Sequence, residues 1–166
     1  MADKTLENLF HDTLRDIYYA ERKILKSLPK MKRAAQSETL KAAFEKHEGQ
    51  TEGQIERLEK VFEIIGKTPR GKTCDAINGI LDEGDEIAEE YKDSPALDAG
   101  LLAAAQAVEH YEITRYGTLK RWATVLGLDD AVKLLDETLE EESQTDEDLT
   151  SIADASINEA ALKDAA

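Results

Sequence analysis

From about Lys4 the chain places an apolar residue every three or four positions, and Leu6, Phe10, Leu14, Ile17, Leu25 and Leu28 fall on one helical face with Glu21 in their midst. Pro29, which has no N–H to donate, predicts the end of this first helix. Ser37 can cap a second helix whose inner face reads Leu40, Phe44, His47, Thr51, Gln54, Leu58, Phe62 and Ile65, with Gly66 and Pro69 as stop signals. A shorter piece from about Asp75 to Tyr91 carries Ile77, Ile80, Leu81, Ile87 and Ala88 on one side. Ser94-Pro95 offers a cap and a proline in the first helical position, opening a long helix to about Leu126. Its inner face reads Leu102, Gln106, Glu109, Ile113, Tyr116 and Lys120, flanked by Glu112, before Gly127 stops it. Asp129 or Asp130 starts the last helix, facing inward through Val132, Leu135, Leu139, Glu142, Thr145 or Asp146, Leu149 and Ile152. No stretch alternates apolar and polar residues for long enough to make a strand.

Four long amphipathic helices and one short one predict an all-α four-helix bundle over residues 1–152, with a weakly ordered, alanine-rich tail at 153–166. The short connections at 29–36 and 127–129 make two antiparallel hairpins. Between them lie about thirty residues, long enough at ~1.5 Å per helical residue to run back along the bundle. A crossover containing a short extra helix at about 75–91 is therefore expected, which is the ferritin-like topology. An up-down array of five equal helices is the alternative.

Composition agrees with helix: 41% of residues are hydrophobic, only 5% aromatic, and there are three prolines. Charge narrows the function. Thirty-six acidic against 21 basic side chains leave a net −15, the opposite of the footprint that binds nucleic acid or an anionic membrane surface. No apolar run approaches the ~20 residues of a membrane span, and Met1 to Phe10 is charged and periodic rather than signal-like. A single Cys74 cannot close a disulfide, which fits a reducing cytoplasm.

Polarity at the middle of each apolar stripe is what changes the picture. Glu21, His47, Glu109 and Glu142 interrupt their faces near mid-helix, and counting outward from the hairpin loops brings them to one cross-section. Carboxylates gathered in a low-dielectric core cost several kcal/mol each unless paired, protonated or bound to a cation. A pair of divalent metals held by Glu and His from four helices is one remedy, and oxygen-rich ligands favour iron or manganese. The other is mundane: Glu112 and Glu142 as solvated flanks, Arg57 and Arg115 neutralising Glu21 or Glu112, and His47 as a hydrogen-bonded core histidine. His110 points away from the layer. Gly49 and Gly53, four apart inside helix two, suggest either a close helix approach or space near the site, the former first.

At these residues the sequence resembles the bacterial YciE/YciF-type stress-response family of the ferritin-like superfamily. The likeness rests on Tyr19-Ala20-Glu21, on Gln50 to Arg57, on Ala104 to Glu112 with Tyr116-Gly117-Thr118-Leu119, and on Glu141 to Asp146. It implies a ferritin-like bundle, often a homodimer, a cytoplasmic role in stress, and a dinuclear metal site; with the oxygen-rich donors above, the expectation is two ions of iron or manganese that react with dioxygen or peroxide. One departure stands out: the Glu-x-x-His pairs usual in ferritin-like di-iron proteins are missing from helix two and from the last helix. The expected ligands are Glu21, His47, Gln54, Glu109, Glu112 and Glu142, with Gln50 a further candidate. The missing pairs equally suit a non-catalytic structural or interaction module, dimeric and without functional metal.

Overall fold

A computed structural model describes residues 4–163, and the described chain is helical with no strands. Five long elements form in order: α1 (Leu6–Ala34), α2 (Glu38–Ile64), α3 (Asp75–Glu90), α4 (Leu97–Val125) and α5 (Asp129–Ile152). Residues 153–160, the described helical part of the segment assigned to the tail, continue as a π-helical turn (Ala153–Ile157) and α6 (Asn158–Ala160), and Ala153 and Ile157 are buried. Residues 164–166 of that segment lie outside the described residues.

The caps explain most boundaries. Thr5 accepts from Asn8 N to start α1, and Ser37 accepts from Leu40 N to start α2. Gly66 and Gly127 adopt φ of 64° and 70° and close α2 and α4 in the same way. In each, the glycine N–H and the next N–H reach back to carbonyls of the last turn: Gly66 to Glu63 and Lys67 to Phe62, Gly127 to Thr124 and Leu128 to Ala123. Only glycine takes that left-handed conformation without a Cβ penalty.

Pro29 does not end α1. The helix runs five residues past it to Ala34, because Leu28 and Ala35 are buried and Met31 packs against the core, so burial outweighs the proline. The basic run Lys30 to Arg33 is thus the last turn of α1, where cations face the negative end of the helix dipole, rather than a loop. Ser94 and Pro95 form a turn ahead of α4, in which Ser94 Oγ accepts from Ala96 N at 3.1 Å, and the helix begins only at Leu97.

Asp98 fixes the topology. Its carboxylate accepts from Gln36 N at 2.8 Å and Ser37 N at 2.6 Å, pinning the start of α4 to the α1–α2 hairpin. The chain leaves α2 at the opposite end, so the segment 65–96 must traverse the bundle's length, carrying α3 along the outside of α1 and α4. Helices α1 and α5 run one way and α2 and α4 the other; α1 neighbours α2 and α4, and α5 neighbours the same two. This is the up-down-down-up arrangement with a long crossover.

Candidate metal centre

Each helix of the four delivers a polar side chain to mid-height. Glu21 comes from α1, His47 and Gln54 from α2, Glu109 and Glu112 from α4 and Glu142 from α5, and none is more than 4% exposed. On α2 the two are seven apart, two helical turns on one face; on α4 the two are three apart, one turn. His47, Glu109, Glu112 and Glu142 each offer one ligand atom, and those four atoms lie within 4.8 Å of one another. Such a spacing suits donors converging on one cation.

Glu21 and Gln54 border this group. Tyr116 Oη, itself fully buried, donates to Glu21 Oε1, leaving Glu21 Oε2 without a partner. Gln54 Nε2 donates to Glu142 and to Glu141, so its oxygen is left unpartnered. Glu141 also receives Arg57, which bonds Thr138 Oγ1 at 3.0 Å and Glu137 at 2.9 Å. Arg57 is therefore bonded to α5 and reaches Glu21 only as a nearby charge that pulls its carboxyl down, while Arg115 covers the ring of Tyr111 at 5.2 Å. Neither arginine neutralises the layer as an ion-pair partner. Glu112 and Glu142 are fully buried, not solvated flanks.

Buried polar atoms in folded proteins almost always find partners, so orphans are informative. Among the described residues the unpartnered buried atoms all belong to this cluster: one oxygen each of Glu21, Gln54, Glu109 and Glu142, both of Glu112, and both ring nitrogens of His47. His47 Nε2 lies 3.1 Å from Glu109 Oε1, close enough for an ion pair but not aligned as a hydrogen bond. Proximity without alignment is what two ligands of a shared cation show. Four carboxylates with a neutral imidazole and a neutral amide also match in charge what two divalent ions supply. The residues present are of the kind and spacing that could hold a metal ion.

The electrostatics point the same way. Burial, and then the charge of Glu142, push Glu21 up to about 8 against the pull of the Tyr116 hydrogen bond. Glu109 and Glu112 are raised well above the ordinary carboxyl range, again by burial first and Glu142 second. Burial lowers His47, keeping the imidazole in the neutral form that ligates metal, although Glu142 opposes it. Burial also raises Tyr116, which stays a protonated donor. Without a cation, this layer holds its charge by keeping protons.

The remaining sequence expectations sort simply. His110 is exposed, with Nε2 3.1 Å from Asp146, and takes no part in the cluster. Gln50 stands beside His47 but turns its oxygen to Thr145 Oγ1 at 3.4 Å. A Cβ on Gly49 would meet nothing within 4 Å, and one on Gly53 only Arg57 Nη1 at 3.9 Å, so close helix approach does not explain these glycines. Asp98 and the Arg57–Glu141 pair were not foreseen. Their partners are 61 or more residues away, and no local spacing announces them.

No helix among the described residues is long and apolar enough to cross a membrane. The family described as a domain of unknown function, DUF892, matches residues 5–162. Protein YciF of Escherichia coli strain K12 is 45% identical over 163 residues, covering 97% of this chain and 98% of its own. The crystal structure of the E. coli stress protein YciF superposes with a TM-score of 0.89 at 43% identity, covering 94% of this chain and 99% of that one. YcfI of Rhodopseudomonas palustris, described as a candidate structural protein, gives 0.87 at 48% identity, with 89% and 94% covered. A protein of Xanthomonas campestris pv. campestris shares the fold alone, at 0.69 and 20% identity over 95% and 96% of the two chains. The match along nearly the whole length, at this identity, means that the chain belongs to the DUF892 family and is a homologue of the stress protein YciF.

Proposed function

We propose that the protein is a ferritin-like, carboxylate-rich metalloprotein that holds two divalent ions, iron or manganese, and acts in the bacterial stress response as a cytoplasmic homodimer. The observation that carries this reading is the confinement of every unpartnered buried polar side-chain atom, among the described residues, to one layer of Glu, His and Gln donors. Glu21, Glu109, Glu112 and Glu142 would hold the ions, with His47 or Gln54 completing the donor set. A redox-active pair held there would exchange electrons with dioxygen or peroxide. The chain's own contribution is to exclude water from the layer, to hold His47 neutral, and to keep Glu21 oriented through Tyr116 Oη.

Metal analysis tests it. Untagged protein reconstituted with Fe(II) or Mn(II) without oxygen and then desalted should retain about two ions per chain, the stoichiometry of ferritin-like dimetal bundles. Retention below about a tenth of an equivalent overturns the reading, since a structural stabilisation by bound metal would then be absent.

One observation favours a second reading, a structural or interaction module without functional metal. Gln54 brings a neutral amide rather than a carboxylate to the layer, and its Nε2 ties down Glu142 and Glu141 directly. In that case Glu109→Gln with Glu112→Gln would raise stability in metal-free buffer and added metal would change nothing.

A further inference from the structure

An apolar cavity lined by residues of all five long helices abuts the cluster. Its volume is about 20 Å³, and Ile24, Phe44, Val108 and Leu149 make much of its wall. His47 and Glu109 form its inner end. Both are at least 95% buried, and each carries atoms without hydrogen-bond partners. A second cavity of about 10 Å³ lies further out beneath α3, bounded by Ile80, Gly84 and Asp85. Ser27, Met31, Leu81 and Val108 line both, so the two are successive chambers on one line from the crossover helix to the ligand cluster.

We infer that the inner chamber is a binding site for one uncharged apolar molecule of diatomic size, seated against the His47–Glu109 face, and that the outer chamber under α3 is its way in. Size sets the first part of this. A volume near 20 Å³, somewhat above the ~10–15 Å³ minimum that holds a water, admits one small guest and nothing as large as an organic substrate. Polarity sets the second. A buried water wants two to four polar partners spread around it, whereas apolar cavities stay dry and take up apolar guests. Besides His47 and Glu109 this wall offers only the hydroxyls of Ser27 and Thr145, the latter already bonded to Glu141 O and Gln50, among aliphatic and aromatic side chains. Hydrogen peroxide, a donor and acceptor at both ends, would lose hydrogen bonds along the aliphatic wall at a cost of a few kcal/mol. A neutral diatomic gas loses none. Mobility sets the third: Met31 is unbranched and adaptable, the kind of side chain that can swing between two chambers without strain. Helix α3, the element that a plain four-helix bundle lacks, thereby gains a reason to lie where it does.

That the guest is a reactant rests on the metal reading above; that the chamber takes an apolar guest does not. Xenon is the probe. Metal-free protein under a few atmospheres of xenon should show saturable NMR shifts of the Ala43, Ala105, Val108 and Leu149 methyl groups. Ala105→Val from α4 and Leu149→Phe from α5 each fill the chamber, and should weaken xenon binding about tenfold or more, a difference of ~1.4 kcal/mol. Both variants should retain metal as the parent does. Glu112→Gln, outside the chamber wall, should lose metal and keep xenon. Absence of saturable shifts at these methyls, or xenon binding unchanged in both filled variants, overturns the inference. Xenon binding with no metal uptake in the parent leaves the chamber standing and sinks the metal reading alone.

Discussion

Between Phe10 and Ile17 on α1, and between Leu58 and Phe62 on α2, the bundle is closed by aliphatic and aromatic side chains, with Leu119, Ala123, Ala131 and Leu135 opposite, none more than 1% exposed. Tyr18 and Phe62 meet edge to face at 5.5 Å there. Nearer the α1–α2 loop, the same helices present Glu21, Gln54, His47, Glu109, Glu112 and Glu142 instead. Burial is equally complete in both layers, yet its sign differs. In the apolar layer each side chain contributes roughly 1.5–3 kcal/mol by leaving water. In the polar layer burial raises the energy of the ionised form, and orphaned oxygens and ring nitrogens mark interactions that the protein itself does not supply. A four-helix bundle tolerates one such layer because apolar layers flank it on both sides.

The comparison can be broken most strongly in the apolar layer. Leu58→Ala should lower unfolding stability by about 2–5 kcal/mol through lost burial and a residual cavity, and by the same amount with or without metal. Chemical denaturation in both conditions checks this; a loss that depends on metal would mean that the layers are coupled rather than independent. Metal itself comes next. At about a hundredfold excess over its dissociation constant it should add about 2.7 kcal/mol, all of it lost in Glu112→Gln. Calorimetric melting of the two proteins side by side measures the difference.

Smaller still is the effect of proton balance on the polar layer alone. A carboxyl raised in the folded state contributes stability that is complete below its unfolded value of 4.5 and lost as pH climbs through the folded value, about 8 for Glu21. The metal-free protein should therefore lose stability between pH 5 and pH 8, read as a falling midpoint of denaturation. Metal-loaded protein should show the opposite trend, because metal must displace those protons. In Glu112→Gln without metal, the slope should flatten and stability near pH 8 rise by ~1 kcal/mol, as expected when an uncompensated buried charge is removed. A slope unchanged by that substitution would place the titration elsewhere.

How much of this could be read from residues alone follows the same division. Helix number, the hairpins, the crossover and the glycine stops at 66 and 127 come from local rules of periodicity and capping, and they hold. The polar layer was legible because Glu21, His47, Glu109 and Glu142 each interrupt an apolar stripe. Helical phase was less so. On α4 the buried face is Leu101, Ala105, Val108, Glu112 and Leu119 beside Glu109 and Tyr116, about one residue round from the face through Gln106, Ile113 and Lys120. That helix is alanine-rich and has α1, α3 and α5 as neighbours, so no single stripe marks its inside. On α5 likewise, Ala131 and Thr138 are buried while Val132 and Leu139 are only partly so. Pro29 misled for a related reason: a proline signal is local, and the burial of Leu28 and Ala35 that overrides it is tertiary. Gln54 was recognisable as a polar residue on the inner face, but which of its amide atoms faces the cluster depends on Glu141 and Glu142, 87 and 88 residues away.

The smallest effect sharpens the contrast most, because it touches one hydrogen bond in the polar layer without changing volume. Tyr116→Phe removes the hydroxyl that donates to Glu21 Oε1 and leaves the ring packed as before. That bond favours the charged carboxylate, so its loss should move Glu21 still further up from about 8. At pH 5, where Glu21 holds its proton in either protein, the metal-free forms should differ little. At pH 8, where Glu21 is about half ionised in the parent, the variant should be less stable by up to ~0.4 kcal/mol, and by more as pH rises further. Denaturation at the two pH values reads this directly. The same loss at both would make Tyr116 an ordinary packing aromatic, as its neighbours in the apolar layer are. A loss that grows with pH would show that the polar layer draws part of its order from a donor placed to hold a carboxylate ready for a cation.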